Sequence, residues 1–492
     1  MSKENRFCLV DSAWIPVVGK GRVSLMDVFS DDSICDIDGN AVQKIALTKF
    51  LIAVCQAAVS LKDSEEWEAM GSQGMSNSVR RYLEEKRDCF WLYGDKPFLQ
   101  IPRIVDLPNA KPLKLYYYYL PDTDHANDTI LNASQGIADP NDADKAVFLV
   151  TLMNYALGGK RSSTSVPLMG GADKKTPYPA PSLGGFVGYL QVCLKGRSLR
   201  ETAWLNFFTE HDKEMLKVED MDVRPPWEEM PDGESDERAC KLKKSIYAWL
   251  VAVSRFVYLK GNDVYCIDGI QYPKFVKDGY TEPFIVAKTR ESVLYVNPAE
   301  KPWRNLTAFL RAVYEGESDD GYVCQLLKLF LPRARDAVNT LSIWAGGLKV
   351  RDNSGDQSVK QSDDFVDSEF KFETNALGQT FYQLLQETMN GLNNLKENLS
   401  QSVKGYYKSL GVKDKDTGEA QRRFWSVADG YADRLIIACS EVDGDAVDTL
   451  VNNLNDAAKR IYDDMCTHST SRQMYAWVKN TPKRIKVQRQ KE

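Results

Sequence analysis

The chain has 492 residues, of which 43% are hydrophobic and 27% are charged, so the composition is that of a folded globular protein and excludes extended disorder. Its length exceeds what a single hydrophobic core usually supports, and two or more domains are expected. The formal net charge of −6 argues against a stand-alone nucleic-acid-binding protein, because phosphate contacts require an excess of basic residues. Any contact with nucleic acid must be local or shared with partners.

Targeting and metal-binding signals are absent from the sequence pattern. The N-terminal segment MSKENRFCLVDSAW lacks the basic start and apolar core of a signal peptide, and no apolar run predicts a membrane span. We therefore expect a cytoplasmic protein without a membrane partner. The ten cysteines form no CxxC pair, and no set of cysteines and histidines has the spacing of a zinc site. They are expected to be reduced, mostly buried thiols, and no cofactor is predicted.

The N-terminal part of the chain mixes predicted strands and helices. The segment RFCLVDSAWIPVVGKGRVSLMDVF alternates apolar and polar residues around a Gly-Lys-Gly turn, which predicts a β-hairpin. Apolar residues at helical spacing predict helices, and a run of apolar segments predicts strands. The predicted helices cover 41–61, 65–85, 142–157, 199–208, 241–258 and 303–314, and the strand-rich stretch covers 263–296.

After about residue 370 the pattern becomes helical to the end of the chain. Apolar residues from Leu377 to Leu410 recur every three or four positions and predict one long helix. Further helices are predicted over 420–440, over 447–465 and from Ser471 onward. Four amphipathic helices with short connections indicate a four-helix bundle. We predict an α+β fold, with a large mixed α/β domain over 1–368 and a C-terminal four-helix bundle over 369–492.

Candidates for catalysis are weak. His125, His211 and His468 stand in neither a triad nor a metal-binding spacing. Adjacent acids such as Asp463 and Asp464 have the chemistry to hold magnesium, but neighbouring acids on a helix are usually solvated. No catalytic residue and no metal site are predicted.

Two segments have the composition of nucleic-acid contacts. Segment 170–185 combines glycine pairs with Lys174, so that its backbone can approach a phosphate chain which the lysine neutralises. Segment 346–361 contains Asn353 and Gln357, whose amides can read base edges, among basic residues that can hold phosphates. An ordinary surface loop and an inert polar hairpin are the alternative interpretations of these two segments.

Short motifs in a shared order resemble a known family. The opening LVDSAWIPV, with Asp11, Trp14, Ile15 and Pro16, is similar to that of the CasA large subunits of type I-E CRISPR surveillance complexes (Cascade). The motifs KPFLQ, NDTILNAS, GRSLRETAWLNFF, RPPWE and QRRFWSVADGYADRLI follow in the family's order. Their order along nearly the whole chain is more specific than any single match.

The resemblance implies a function that the composition does not reveal. It implies a non-catalytic subunit that recognises the protospacer-adjacent motif of double-stranded DNA from the minor-groove side. Such a subunit starts strand separation with a glutamine wedge and helps to recruit a helicase-nuclease. The implied partners are the target duplex and the backbone, small and 5′-handle-binding subunits of a CRISPR RNA complex.

The resemblance also implies roles for particular residues. The wedge falls on segment 346–361, with Gln357 as the wedge glutamine and Lys349 and Asn353 as neighbouring contacts. The other implied DNA and motif contacts are Gly170, Gly171, Lys174, Lys274, Lys288 and Arg290. The implied anchor near the CRISPR RNA 5′ handle covers 127–139 and includes Asn127, Thr129, Asn132 and Ser134.

Two other functions stay open at this point. One is a nucleic-acid enzyme, in particular a metal-dependent nuclease, and the other is a pure assembly scaffold of a ribonucleoprotein whose loops bind no DNA.

Overall fold

The structure is a computed structural model that describes residues 7–107, 111–113, 140–156, 188–272, 282–288, 292–317, 321–353, 356–358, 364–413 and 415–489. Its described α-helices are α1 (Leu25–Val28), α2 (Ala41–Ala58), α3 (Ser64–Glu85), α4 (Asp142–Asn154), α5 (Leu199–Leu205), α6 (Glu210–Met215), α7 (Glu237–Lys244), α8 (Tyr247–Leu250), α9 (Leu306–Tyr314), α10 (Gln325–Ala337), α11 (Gln379–Ser409), α12 (Gly418–Asp429), α13 (Ala432–Ser440), α14 (Gly444–Met465) and α15 (Ser471–Lys479). Its described strands are β1 (Ile15–Val17), β2 (Gly21–Val23), β3 (Lys111–Leu113), β4 (Gln191–Lys195), β5 (Arg255–Lys260), β6 (Asp263–Asp268), β7 (Val286–Lys288), β8 (Ser292–Val293), β9 (Tyr322–Cys324), β10 (Thr340–Leu348), β11 (Arg351–Asn353), β12 (Asp356–Ser358) and β13 (Phe365–Glu373). Short 3-10 helices cover Arg87–Phe90, Pro102–Asp106, Pro302–Asn305 and Thr374–Ala376. This mixture of helix and sheet confirms the predicted α+β class.

The predicted N-terminal hairpin is present. β1 and β2 pair in antiparallel fashion, with Ile15 opposite Val23. Gly19 and Gly21 at the turn have φ angles of +78° and +76°, a region that glycine enters without a steric penalty. The buried Trp14 donates its indole N–H to the carbonyl oxygen of Leu9 at 2.8 Å and anchors the hairpin in the core.

Helix α2 lies at the centre of the hydrophobic core. It contacts α3, α4, α5 and β10, and 13 of its 18 residues are buried. It begins at a capping box in which the side chains of Asn40 and Gln43 each accept a hydrogen bond from the other's backbone N–H. Among the described helices, α2 alone has the length and apolar composition to cross a membrane, but most of it is buried within the protein. Its apolar composition therefore reflects burial on all sides.

β10 is the middle strand of a sheet with the order β13-β10-β4, and both pairings are antiparallel. Its residue Ile343 lies opposite Phe370 on one neighbour and Leu194 on the other. All β10 residues from Leu341 to Leu348 are buried, and α2 and α10 both pack on the strand. A slip of one residue would exchange the two faces of the strand, so this burial specifies the register strongly.

A second sheet, β8-β7-β9, is connected to the first through the start of β4. Gln191 of β4 lies opposite Gly346 of β10 and also forms a bridge with Ile285, which directly precedes β7. Tyr189 and Tyr295 form a further bridge on the same side. The two sheets therefore form one connected backbone network.

The helix predicted over 241–258 is wrong in its second half, where β5 begins at Arg255. The buried guanidinium of Arg255 forms an ion pair with Asp268, its register partner on β6. At Gly269 a Cβ atom would lie 2.2 Å from the carbonyl oxygen of Val253, so the neighbouring backbone approaches too closely for a side chain. Strand pairing of this β-branched and aromatic segment thus overrides its helical spacing.

The C-terminal helices follow the predicted stripe with one difference. α11 spans 31 residues and packs against α12, α13, α14 and α15. The single helix predicted over 420–440 is wrong, because it is divided into α12 and α13 at Gly430 and Tyr431. The division leaves Asp429 at the C-terminus of α12, where its carboxylate contacts Trp303 and Arg304.

Asp429 joins α12 to the segment that precedes α9. Its carboxylate accepts hydrogen bonds from Arg304 Nη2 at 2.7 Å, Arg304 Nε at 3.1 Å and Trp303 Nε1 at 2.8 Å. The Arg304 guanidinium also lies 4.5 Å from the ring centroid of Trp425. The Arg304 side chain is only 7% exposed, so this contact is shielded from solvent.

Replacement of Asp429 by asparagine should weaken this contact. We expect Asp429→Asn to lower the free energy of unfolding by about 1.5–3 kcal/mol, the usual contribution of hydrogen bonds to a charged group. Chemical denaturation of the full chain measures the change. The control is Asp464→Asn at an exposed position of α14, which we expect to stay within about 0.5 kcal/mol of wild type. Equal effects of the two substitutions would contradict this account.

Candidate nucleic-acid interface

The segment predicted as a wedge is a β-hairpin that continues from the central sheet. The pairing of β10 with β13 ends at Leu348 and Phe365, and the Lys349 N–H then donates to the carbonyl oxygen of Asp364 at 3.1 Å. Beyond this point β11 pairs with β12, with Gln357 opposite Asp352. Asn353 and Gln357 therefore lie on the two strands of one short hairpin, the wedge arm, and Lys349 lies where β10 ends before it.

The base of this arm is fixed by a close backbone contact at Gly346. A Cβ atom on Gly346 would lie 2.7 Å from Trp344 Cζ2 and 2.8 Å from the carbonyl oxygen of Val366. The indole N–H of Trp344 donates to Asp367 Oδ2 at 3.3 Å, and Lys44 Nζ lies 2.9 Å from the same oxygen. Only glycine fits at this position, so β10 and β13 pack closely where the segment begins.

Lys288 lies on the second sheet, at the end of β7. Its register partner is Tyr322 of β9, and its ammonium group lies 5.3 Å from the centroid of the Tyr322 ring. The ring orients the half-buried lysine by a cation–π contact. The connection through Gln191 links this sheet to the β13-β10-β4 sheet, which borders the predicted wedge segment.

The remaining predicted contacts lie outside the described residues. They are Gly170, Gly171, Lys174, Lys274, Arg290, Asn127, Thr129, Asn132 and Ser134.

A buried ion pair, which the sequence reasoning missed, lies where two of the predicted segments are attached. Lys49 of α2 pairs with Glu282, and both side chains are 2% exposed. The Lys49 ammonium also lies 4.6 Å from the ring centroid of Phe284 and 5.2 Å from that of Tyr155. Burial lowers the pKa of Lys49, because loss of hydration disfavours the charged amine more than Glu282 favours it.

The positions of these partners explain why the pair matters for the site. Tyr155 stands two residues before segment 157–187, which contains the predicted glycine contacts, and Glu282 directly follows segment 273–281, which contains Lys274. Both partners lie within reach of the Lys49 ammonium. The only signal in the sequence is a lysine within the apolar run KIALTKFLIAV, since a lysine that is fully buried is normally paired.

The described residues offer no metal centre. No group of three or more His, Cys, Asp or Glu side chains in the described ranges is arranged to hold a metal ion. All ten cysteines are free, and seven are buried, as predicted. Asp463 is engaged in a structural contact, since it accepts a hydrogen bond from Trp477 Nε1 at 2.8 Å.

Comparison with known proteins identifies the family. The sequence profile described as CRISPR-associated protein Cse1 matches residues 9–464. The chain belongs to the Cse1 family. It is 25% identical over 341 residues to the CRISPR-associated protein CasA/Cse1 of Thermus thermophilus, an alignment that covers 63% of this chain. The alignment spans 61% of the length of that relative.

Solved structures show the same fold. The crystal structure of Thermobifida fusca Cse1 matches with a TM-score of 0.72 at 17% identity, covering 97% of each chain. A chain of a structure described as a CRISPR RNA-guided surveillance complex matches with a TM-score of 0.64 at 15% identity, covering 97% of this chain and 99% of that one. The family resemblance and the α+β prediction are both confirmed.

Removal of one partner of the buried ion pair should be costly. We expect Glu282→Gln to lower the free energy of unfolding by about 3–5 kcal/mol, because the Lys49 charge is then buried without compensation. The double variant Lys49→Met with Glu282→Gln should be less destabilised than Glu282→Gln alone. Denaturant titration of the full chain provides these values. The control is Glu214→Gln at an exposed position of α6, and additive losses in the double variant would refute the coupling.

Proposed function

We propose that this chain is the large subunit of an RNA-guided CRISPR interference complex, in which it recognises the protospacer-adjacent motif of a target duplex and starts strand separation. The family match over residues 9–464 carries the proposal. The surveillance-complex chain with the same fold supports an assembly of this kind. The proposed partners are the backbone, small and 5′-handle-binding subunits, the CRISPR RNA they hold, and a helicase-nuclease that the chain helps to recruit. We propose a cytoplasmic location without a membrane partner.

The wedge arm supports the proposed strand separation. The strands β10 and β13 on either side of it pair over nine residues and give it a firm base, and Asn353 and Gln357 belong to the two paired strands β11 and β12. Insertion of a side chain between base pairs costs unstacking energy. A rigid support helps because the inserted side chain is then held in place against the stacked bases and the protein does not move away. We propose Gln357 as the inserted residue, with Asn353 and Lys349 as its neighbouring DNA contacts.

The other proposed contacts divide between motif reading and positioning. Gly170 and Gly171 would allow the backbone to approach the motif base pairs, and Lys274 would read the minor groove. Lys288 and Arg290 would line the route by which the duplex enters. The remaining proposed residues are Lys174 for DNA, and Asn127, Thr129, Asn132 and Ser134 for the CRISPR RNA 5′ handle.

We propose that the chain is not an enzyme. Sequence reading by an RNA guide leaves the protein to recognise a short motif and duplex shape, which also agrees with its net charge of −6. We further propose a division at residue 368 between the mixed α/β domain and a C-terminal helical bundle. The contact of Arg304 with Asp429 would then join the two domains.

The test compares matched duplexes with and without the motif, bound to the assembled RNA-guided complex. With Gln357→Ala or Gly170→Asp, we expect motif discrimination to fall by about tenfold or more, since one good base contact supplies roughly 1–3 kcal/mol. Assembly, measured by size-exclusion chromatography, should persist. Gln401→Ala, at an exposed glutamine of α11, is the matched control.

The alternatives give different results in the same experiment. Variants that bind and open DNA like wild type would indicate a pure scaffold. Cleavage of DNA by the isolated chain with magnesium would indicate a nuclease.

A further inference from the structure

The C-terminal segment 480–489 is fixed against the surface of α11 and α14. The side-chain amide of the buried Asn455 donates to the carbonyl oxygen of Ile485 at 2.9 Å and accepts from its N–H at 2.8 Å. The N–H of Lys483 donates to Asn398 Oδ1 at 3.0 Å. These contacts hold the backbone of the segment by hydrogen bonds from two helices.

Side chains of the segment also lie over two glycine positions of these helices. A Cβ atom on Gly391 would lie 3.5 Å from Val487 Cγ2, and one on Gly444 would lie 2.7 Å from Arg489 Cζ. Ile485 and Val487 pack against the hydrophobic core. The segment is therefore a built part of the surface, and it lies beyond the residues 9–464 that match the family profile.

A row of side-chain amides runs along α11 beside this segment. Gln386, Asn390, Asn394 and Asn398 recur every four residues and therefore share one face of the helix. The two ends of the row are engaged, since Gln386 donates to Glu315 at 2.9 Å and Asn398 accepts from Lys483. Asn390 and Asn394 are exposed and have no hydrogen-bond partner among the described residues.

Basic side chains face this row across a groove. The groove is lined by Asn390 and Asn394 on one side and by Arg484, Lys486 and Arg489 on the other. Lys486 has no acidic partner among the described residues. Arg484 pairs with Asp456 in an exposed and therefore weak contact, so it can turn to a ligand at little cost. Arg489 pairs with Asp448 at 2.7 Å and donates to the carbonyl oxygen of Gly444 at 2.6 Å, and these contacts hold its guanidinium at the edge of the groove.

We propose that this groove binds the sugar–phosphate backbone of single-stranded nucleic acid. Lysine and arginine neutralise phosphates, and amides that both donate and accept suit phosphate, sugar and base edges. An acidic peptide would pair with the cations alone and would not use the row of amides that lines the groove. The inference rests on the proposed function to the extent that strand separation supplies the single strand.

The test uses the full-length chain and a fluorescent oligothymidine strand, with binding followed by anisotropy over a range of salt concentrations. We expect Lys486→Glu to weaken binding by about tenfold at low salt. It should also lower the slope of log affinity against log salt by about 0.7, the value for one lost phosphate contact on a single strand. Asn390→Asp should also weaken binding, because the new carboxylate repels the phosphates.

The matched control is Lys404→Glu, the same charge change at an exposed position of α11, the helix that carries Asn390. At 1.5 Å per residue it lies about 21 Å from Asn390, so binding should change by less than about twofold. Equal losses in Lys486→Glu and Lys404→Glu, or no loss in either, would overturn the proposal. Preferential binding of a poly-glutamate probe in the groove would overturn it in favour of an acidic protein partner.

Motif-dependent duplex binding by the assembled complex separates this inference from the proposed function. Gln357→Ala should reduce motif discrimination and leave oligothymidine binding unchanged. Lys486→Glu should weaken oligothymidine binding and leave motif discrimination unchanged. If only Gln357→Ala had no effect on motif discrimination, the proposed function would be contradicted. If only Lys486→Glu had no effect on oligothymidine binding, the proposed role of the groove would be contradicted.

Discussion

The pairing of β10 with β13 is the constraint on which the rest of the structure depends. The strand is buried from Leu341 to Leu348 and is paired on both edges, so its register cannot change without exposing the core. The close contact at Gly346 fixes the same register from within the sheet. The β11–β12 hairpin that holds Gln357 lies in the segment between these two paired strands, so their pairing fixes the point at which that segment leaves the core.

Charged groups in the interior connect elements that lie far apart in the sequence. Lys49 and Glu282 are 233 residues apart, and their ion pair joins the central helix to the start of the β7 region. Arg255 and Asp268 make a similar connection within one hairpin. Buried pairs of this kind contribute little net stability, but loss of either partner is costly. They therefore fix particular arrangements of chain segments, here those beside the proposed DNA contacts.

Sequence reasoning succeeded where the signal is local and periodic. The apolar stripe of α11 and the Gly-Lys-Gly hairpin were predictable because spacing and turn residues determine them. The helix predicted over 241–258 failed because long-range strand pairing outweighs helical spacing there. The wedge role of segment 346–361 was implied by the family resemblance, since its composition also fits an inert polar hairpin, and the pairing of Gln357 with Asp352 was not predicted. The Lys49 pair was missed because its partner is remote.

The central claim is that the wedge arm contacts DNA beside the motif. A photoreactive amino acid at position 357, in the assembled RNA-guided complex, tests this claim directly when the crosslinked base is mapped on a matched duplex. The account predicts crosslinks to the base step next to the motif, and their loss when the motif is removed, with none from the same photoreactive group at position 401. Absence of DNA crosslinks from position 357, or equal crosslinking from both positions, would contradict it.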